Sequence, residues 1–442
     1  MIREVVLTKQ MPPWHADPAY NQFENDRSLT PEEERRLLAW LDAGAPKEET
    51  EPDPLAETKA IDTAEWVLGQ PDVIVQIPEV QTLPAEGAFE YRYFYVPTGL
   101  TEDKWVKAVD VQPTNRAVLH HALVFVIYPD QYAHIQPEVR GGLNGYFAAF
   151  LPGTKIKPYP EGTGQFLPAG ALLVFQMHYN ATGKEEQDQT RLGLYFHDAP
   201  PPRALMIQAA NETEFEIPPN TEDFPTRADW QAPQDVEVYG LSPHMHYRGS
   251  RFTFAAHTPD GQEQVLLNVP HYVFDWQPMY MFQKPLVLPA NTVIGCDGAF
   301  DNSKFNPRNP DPSQTVTFGE QSWEEMFIGY ITFSAPRDDN YFKPQEVKQY
   351  PPITEENLGG TEWRMGRRFT LTFNADKTIS VRGQAAGTWA IKDGRLQIDG
   401  FGRHLEAIIY GDDLLVDGRR LRRVEPGEEP PREPREKVSS NR

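Results

Sequence analysis

Histidines with metal-ligand spacing occur in two regions of the chain. The first region is Leu241-Ser-Pro-His-Met-His-Tyr-Arg-Gly249, which we interpret as an extended segment ended by a glycine. Residues two apart on a strand point to the same face, so the imidazoles of His244 and His246 would lie about 7 Å apart and could close on one metal ion. The alternative interpretation is two structural histidines, one capping a turn and one packed under a sheet.

The second region supplies His120, His121 and His178. Adjacent residues on a regular strand face opposite ways, so His120 and His121 reach one ion only if the strand is bulged or bent there. Residues 113–116, just upstream, could supply that turn. His178 lies in the apolar segment 171–179, where an unpaired imidazole would be costly. A hydrogen-bonded core histidine is the alternative for this position.

Met326 is the candidate third ligand for the His244/His246 pair. Methionine usually fills core space. A thioether combined with two imidazoles, however, suits a soft, redox-active ion, above all Cu(I). The remaining histidines are isolated in polar or turn contexts, and we predict that they are not ligands: His15, His134, His197, His257, His271 and His404.

Five segments carry a resemblance to a known family: LHHALVF, FQMHYNATG, SPHMHYRG, CDGAFDNS and GEQSWEEMFIGY. In their order and context they resemble the copper type II, ascorbate-dependent monooxygenases, which include peptidylglycine α-hydroxylating monooxygenase and dopamine β-monooxygenase. The resemblance covers about residues 75–335, and all six metal-ligand positions are matched. It is closer to bacterial members that join this module to a c-type cytochrome domain.

The resemblance implies two jelly-roll domains with one copper ion in each and a solvent cleft between them. His120, His121 and His178 match the copper that receives and passes electrons. His244, His246 and Met326 match the copper that binds dioxygen. Gln176 matches a glutamine that lines the cleft. The implied reaction is hydroxylation of a substrate C–H bond with O2, with ascorbate reducing both ions singly.

Two positions depart from the family pattern. The peptidylglycine enzymes carry an arginine two residues before the H-x-H, where it holds the substrate carboxylate. Ser242 occupies that position here, which makes a C-terminal glycine peptide a doubtful substrate. Cys296, the single cysteine, matches a disulfide-bonded cysteine whose partner is missing. We therefore expect it to be a small buried apolar residue.

The composition and strand patterns predict an all-β protein. The 42 prolines are about twice the usual share, which disfavours long helices. We expect two tandem jelly-roll β-sandwich domains between a small helical N-terminal remnant and a small C-terminal β unit. The predicted boundaries are a cytochrome c-like helical segment at 1–46, a linker at 47–74, copper domains at 75–200 and 201–350, a small β domain at 351–424 and a disordered tail at 425–442.

The N-terminal segment contains the clearest helix signal and a possible haem remnant. Thr30, Pro31 and Glu33 form the sequence pattern of a capping box. In the cytochrome-like segment Met11 matches an axial haem ligand. Covalent haem attachment needs C-x-x-C-H, which this sequence lacks. We therefore expect haem c only if that motif lies upstream in the full gene, and otherwise an ordinary loop methionine.

The net charge of -22 makes nucleic acid and anionic membranes poor partners. No apolar stretch is long enough to span a membrane, and the N-terminus lacks the apolar region of a signal peptide. The resemblance nevertheless implies an extracytoplasmic, periplasmic or secreted location. The expected partners are O2, ascorbate or another one-electron donor, a small-molecule substrate and a possible cytochrome electron donor.

Two other functions fit the same residues. One is a non-catalytic copper-binding or electron-transfer protein that keeps both ligand sets. The other is a zinc hydrolase built on the three-histidine group, against which Met326 argues because zinc sites rarely use thioethers.

Overall fold

The structure is a computed structural model of the chain. It describes residues 1–47, 66–87, 89–136, 142–151, 155–348, 350–365, 369–392, 394–400, 403–416 and 419–424. The chain divides into two compact units, Met1–Pro344 and Gln345–Arg442. Most of the expected linker and the whole expected tail lie outside the described residues. Strand β1 begins at Val73, just inside the range assigned to the linker.

The helices in the described residues are short and peripheral. They are α1 (Ile2–Leu7), α2 (Pro31–Asp42), α3 (Glu355–Leu358) and the 3-10 helix η1 (Asp130–Ile135). The predicted capping box is confirmed, because the Thr30 side chain accepts a hydrogen bond from the backbone N–H of Glu33 and the Glu33 side chain accepts one from the backbone N–H of Thr30. None of the described helices is long and apolar enough to cross a membrane.

Strands form most of the first unit, and they fall into two sets that follow chain order. The earlier set is β1 (Val73–Gln76), β2 (Gln81–Leu83), β3 (Arg92–Pro97), β4 (Lys104–Gln112), β5 (Leu119–Ile127), β6 (Ala148–Phe150), β7 (Thr163–Leu167), β8 (Leu172–Tyr179), β9 (Glu186–Asp188) and β10 (Arg191–Phe196). The later set is β11 (Arg203–Glu212), β12 (Glu216–Ile217), β13 (Phe224–Gln231), β14 (Val236–His244), β15 (Gly249–His257), β16 (Glu263–Val269), β17 (Tyr280–Leu288), β18 (Val293–Phe300), β19 (Val316–Thr317) and β20 (Phe327–Pro336).

Each set folds into a β-sandwich. An eight-stranded sheet with the order β1-β10-β4-β7-β11-β20-β14-β17 supplies one layer of both sandwiches. The facing layers are the four-stranded sheets β3-β8-β5-β6 and β13-β18-β15-β16. Two separate cores lie between the layers, one containing Val124 and Phe175 and the other containing Phe254 and Phe333. Burying each such side chain contributes about 1.5–3 kcal/mol.

The two sandwiches join at a parallel contact between β7 and β11. This ladder contains only two residue pairs, Arg203 with Thr163 and Ala204 with Gly164. The expected boundary at residue 200 falls between β10 and β11, where the chain passes from one sandwich to the other. The prediction of a predominantly β protein is confirmed by this architecture.

Residues 14–25 belong to the second sandwich rather than to a separate domain. Trp14 and Phe23 are buried in its core, where they make edge contacts with Tyr280. Phe23 also forms a backbone bridge with Phe282 on the edge strand β17. This segment therefore covers a sheet edge that would otherwise expose unpaired backbone groups.

The second unit contains a closed antiparallel barrel, which agrees with the expected small C-terminal β domain. Its core includes Trp363, Phe373 and Trp389. Its strands are β21 (Thr361–Met365), β22 (Phe369–Phe373), β23 (Thr378–Val381), β24 (Gln384–Lys392), β25 (Arg395–Gly400), β26 (Arg403–Tyr410), β27 (Asp413–Val416) and β28 (Arg419–Arg423).

Candidate metal centre

The first histidine set lies on two neighbouring strands of the β3-β8-β5-β6 sheet. Strands β5 and β8 are antiparallel, with His121 opposite His178. The register shifts between Leu119 and His121, so His120 is the extra residue of a β-bulge. The bulge turns two consecutive imidazoles toward the same side, which a regular strand forbids. The sequence required such an irregularity, and the structure places it at His120 itself instead of at residues 113–116.

The three imidazoles converge on one point. Their metal-binding atoms lie within 4.8 Å of one another. The Nδ1 atoms of His120 and His121 are 3.0 Å apart, and Nδ1 of His178 is buried without a hydrogen-bond partner. A buried polar atom without a partner costs free energy unless something else satisfies it. Three imidazoles grouped in this way fit a metal ion held by nitrogen donors.

Burial keeps this set in the neutral form that binds metals. Desolvation lowers the pKa of His178 to about 4. Desolvation also lowers the pKa of His120, and that of His121 well below its usual value, with neighbouring histidines adding to the shift at His121. The Tyr91 ring packs against His178, with centroids 4.8 Å apart. The set is therefore ready to bind a cation at neutral pH without first losing protons.

The second set differs from the sequence prediction in its backbone. Strand β14 ends at His244, so His246 lies beyond the strand and the two histidines do not share a strand face. The prediction of an H-x-H on a regular strand is therefore wrong. Met245 is fully buried, and its backbone N–H and C=O both bond the Tyr272 hydroxyl. The rings of His244 and His246 nevertheless lie at a centroid distance of 5.2 Å.

Hydrogen bonds fix the tautomers of this pair. Nδ1 of His244 donates to Oε1 of Gln277 at 2.5 Å, and Nδ1 of His246 donates to the backbone oxygen of Glu324 at 3.2 Å. These acceptors assign the ring proton to Nδ1, which leaves Nε2 with a free lone pair. Nε2 of His246 is buried without a partner. Desolvation lowers the pKa of His244 to about 4 and that of His246 well below its usual value.

A buried carboxyl group connects the backbone around His246 to the segment just before β20, which carries Met326. Glu325 is fully buried, and its two oxygens accept the backbone N–H groups of His246 at 2.8 Å and Arg248 at 2.6 Å. Burial raises the pKa of Glu325 to about 8, against the opposing effect of these hydrogen bonds. Because Met326 is the next residue, Glu325 ties the backbone on either side of His246 to the segment that carries Met326.

Both sets line one cavity of about 60 Å³. His120, His121, His244 and Met326 all contribute to its wall. Met326 itself is buried. Phe274 lies between the sets, because its ring centroid is 6.0 Å from those of both His120 and His246. The predicted ligand sets are thus brought together across the junction of the two sandwiches.

Gln176 and Ser242, the predicted cleft residues, also line this cavity. Gln176 Nε2 donates to the Tyr93 hydroxyl at 2.6 Å, and the Tyr93 hydroxyl donates to the Glu320 carboxylate at 3.2 Å. This relay links the first sandwich to the loop that precedes Met326. The Ser242 hydroxyl donates to the backbone oxygen of Pro278 at 3.2 Å.

Met11 lies apart from both sets, in the loop after α1, and 42% of its surface is exposed.

Among the other six histidines, His134 and His197 contact backbone oxygens and His404 contacts Asp399 and Gln397. His15 differs, because its Nδ1 is buried without a partner. The contacts of His134, His197 and His404 are of the ordinary structural kind.

Sequence patterns do not identify several residues that shape the centre: Tyr91, Phe274, Gln277 and Glu325. Phe274 and Gln277 lie in the irregular segment between β16 and β17, where no periodicity assigns a direction to a side chain. Glu325 gives a weak signal, since an acidic residue two positions before the apolar strand β20 is expected to need hydrogen-bond partners if it is buried.

No protein-family model matches the chain, and no curated protein matches it. Among solved structures, it is similar to the PBCV-1 protein VP54 fitted into the virophage Sputnik, at 7% identity and a TM-score of 0.23, with 58% of this chain and 93% of that chain covered. It is also similar to a structure from infectious bursal disease virus, at 9% identity and a TM-score of 0.18, with 61% and 75% covered. A two-domain protein of unknown function from Bacteroides fragilis gives 10% identity and a TM-score of 0.15, with 64% and 99% covered. Scores this low carry no argument about fold or function.

Proposed function

We propose that the chain is a dicopper monooxygenase that hydroxylates a C–H bond of a small organic substrate, using O2 and a one-electron donor such as ascorbate. The observation that carries the proposal is the pair of convergent ligand sets on one cavity. Each set contains a buried imidazole nitrogen without a partner, and the second set adds a thioether. Zinc sites rarely use thioethers, whereas Cu(I) favours them.

The residues of each set have distinct tasks in this proposal. His120, His121 and His178 would hold one copper ion, and His244, His246 and Met326 would hold the other. When bound, the two ions supply one-electron transfer and oxygen activation. Gln277 and the Glu324 backbone oxygen keep Nε2 of the second pair unprotonated, and the Phe274 ring lies between the two sets.

The resemblance described above supports the finer parts of the proposal. These are a jelly-roll winding for each sandwich, an extracytoplasmic location and a cytochrome as a possible electron donor. Haem c would require a C-x-x-C-H motif, which this sequence lacks. Ser242, in place of a carboxylate-binding arginine, supports a substrate other than a C-terminal glycine peptide.

A second candidate function is copper binding or electron transfer without substrate turnover. The small space beside the ligand sets is compatible with it, because about 60 Å³ accommodates O2 or a few water molecules. The monooxygenase proposal requires an organic substrate to bind at the open side of this pocket, next to the ligand sets.

Metal analysis combined with oxygen consumption separates these functions. The monooxygenase proposal predicts two copper ions per chain and ascorbate-dependent O2 uptake that a panel of small organic substrates stimulates. Two copper ions without O2 uptake would favour the electron-transfer function. One zinc ion and no copper would contradict both.

A further inference from the structure

Residues 14–25, which we call the N-terminal strap, join the edges of the two sheets of the second sandwich. Near the start of the strap, the backbone N–H of Asp17 donates to the backbone oxygen of Asn268 on β16 at 2.8 Å. Near its end, the backbone N–H of Glu24 donates to the backbone oxygen of Met281 on β17 at 2.8 Å. Strands β16 and β17 are edge strands of different sheets. The strap therefore holds both edges at once.

Asn25, the last residue of the strap, binds the backbone at the start of β17 with its side chain. Its Nδ2 donates to the backbone oxygen of Met279 at 2.6 Å. Its Oδ1 accepts from the backbone N–H of Met281 at 3.0 Å. The amide thus takes the place that the backbone groups of a neighbouring strand would fill. Both bonds are partly shielded from water, so Asn25 fixes the backbone of residues 279–281.

The backbone just before Met279 carries a residue of the metal centre. Gln277 accepts the Nδ1–H of His244 with its Oε1 at 2.5 Å. Its Nε2 donates to the backbone oxygen of Phe274 at 2.9 Å, which orients the amide with Oε1 toward the imidazole. Because a hydrogen bond is lost beyond about 3.5 Å, a shift of about 1 Å at Gln277 would release His244. The placement of residues 277–279 therefore decides whether Gln277 reaches the ring.

We propose that Asn25 is a positioning residue for the second ligand set, acting through Gln277 to keep Nε2 of His244 free for a metal ion. The inference rests on the proposed function in taking His244 as a ligand. Asn25 touches neither the imidazoles nor Met326 in this proposal. It holds Met279, two residues after Gln277, and so keeps the Gln277 amide within reach of His244. The strap is thus a support of the metal centre.

Solvent exchange of the His244 Nδ1 proton tests this inference without any metal. NMR of the metal-free full chain with ¹⁵N-labelled histidine measures it, and His244→Gln assigns the signal. We expect about fivefold faster exchange in Asn25→Ala, the effect of losing about one hydrogen bond's worth of restraint. The Nδ1 proton of His246, which bonds the Glu324 backbone oxygen, should exchange at its wild-type rate.

Asn21→Gly is the matched control in the same strap. The Asn21 side chain donates to the backbone oxygen of Leu266 on β16, at the opposite edge from Gln277. Asn21 has a φ of +41°, which glycine adopts without strain, so this variant removes the amide and little else. Exchange of the His244 proton should be unchanged in it.

Copper binding supplies the second measurement. Competition with a copper(I) chelator should show about fivefold weaker binding of one ion in Asn25→Ala and unchanged binding of the other. Gln277→Leu should weaken the same ion by about tenfold. Adding Asn25→Ala to Gln277→Leu should weaken it no further, because Asn25 acts through Gln277.

An unchanged exchange rate of the His244 proton in Asn25→Ala would overturn the inference, whether or not the chain binds copper. So would an equal effect of Asn21→Gly, equal weakening of both ions, or additive losses in the double variant, since each indicates a general loss of stability. Thermal unfolding establishes that every variant is folded. A wild-type chain that binds no copper would contradict the proposed function, and the exchange rates would still decide the role of Asn25.

Discussion

The two ligand sets differ in how their imidazoles are held. In the first set the Nδ1 atoms of His120 and His121 lie 3.0 Å apart, and the bulge at His120 makes this possible. In the second set Nδ1 of each ring is occupied by a hydrogen-bond acceptor, which leaves Nε2 for a metal ion. One centre is therefore shaped by strand register and the other by hydrogen bonds to a loop.

This difference suits two different tasks. Three imidazoles without a soft donor can hold copper in both oxidation states, as an electron-transfer site requires. Two imidazoles with a thioether favour the reduced ion, which is the form that reacts with O2. The tautomer-fixing acceptors around the second set also keep its geometry constant. We therefore expect changes at the two sets to have separable effects.

The largest expected effect follows from Met326→Ile. We expect the chain to lose the second copper and keep the first, because the thioether is the distinguishing donor of the second set. Oxygen-dependent activity should fall by more than about 100-fold. This exceeds the loss expected for a residue that only hydrogen-bonds to a metal ligand. Copper content and O2 uptake are the measurements, and Met177→Ile, at another buried methionine, is the control. Two coppers and normal activity in Met326→Ile would remove Met326 from the site.

Acid should destabilise the metal-free chain through both sets. The folded pKa values of His178 and His244 are about 4, below the ordinary 6.5, so the unfolded chain binds more protons between these values. Their contribution is fully present above pH 6.5 and is lost as the pH falls toward 4, on the order of 3 kcal/mol per histidine. Denaturant unfolding across this range should show a weaker pH dependence in His178→Gln and His244→Gln. An unchanged dependence in both variants would contradict the burial of these rings.

Glu325→Gln should weaken the second set alone. The amide can accept with only one of its two polar atoms, so one backbone N–H of His246 or Arg248 loses its partner at a cost of about 1–3 kcal/mol. Competition with a copper chelator should show about tenfold weaker binding of one ion and unchanged binding of the other. Glu324→Gln is the neighbouring control. Equal weakening of both ions would show that Glu325 acts on the whole sandwich instead of on the turn.

The smallest expected effect is that of Tyr93→Phe. The change removes the hydroxyl that links Gln176 to Glu320 and so costs about 0.5–1.5 kcal/mol of stability. Both coppers should remain bound, since no ligand changes. Denaturant unfolding measures the effect on the first unit, with Tyr410→Phe in the separate barrel as control. Loss of either copper would show that this relay positions a ligand set.

The sequence predicted which histidines lie together better than the backbone that presents them. Spacing and side-chain chemistry pointed to the two histidine groups, the resemblance supplied the six positions as ligand sets, and the adjacency of His120 and His121 required an irregular strand. The end of β14 at His244 could not be predicted, because it depends on Tyr272 and Glu325, which are distant in sequence. Phe274 could not be assigned for the same reason, since its position depends on packing between the sandwiches. Cys296 is buried and free, as expected of a small apolar residue without a disulfide partner.

The most direct test of the two-centre account is copper-edge X-ray absorption of the reduced chain loaded with two equivalents of copper. We predict that both equivalents are bound, that nitrogen scatterers dominate, and that the averaged spectrum contains one sulfur scatterer for every two copper ions. The sulfur signal should vanish in Met326→Ile and persist in His178→Gln. Absence of sulfur in the wild type, or uptake of less than one equivalent of copper, would contradict the account.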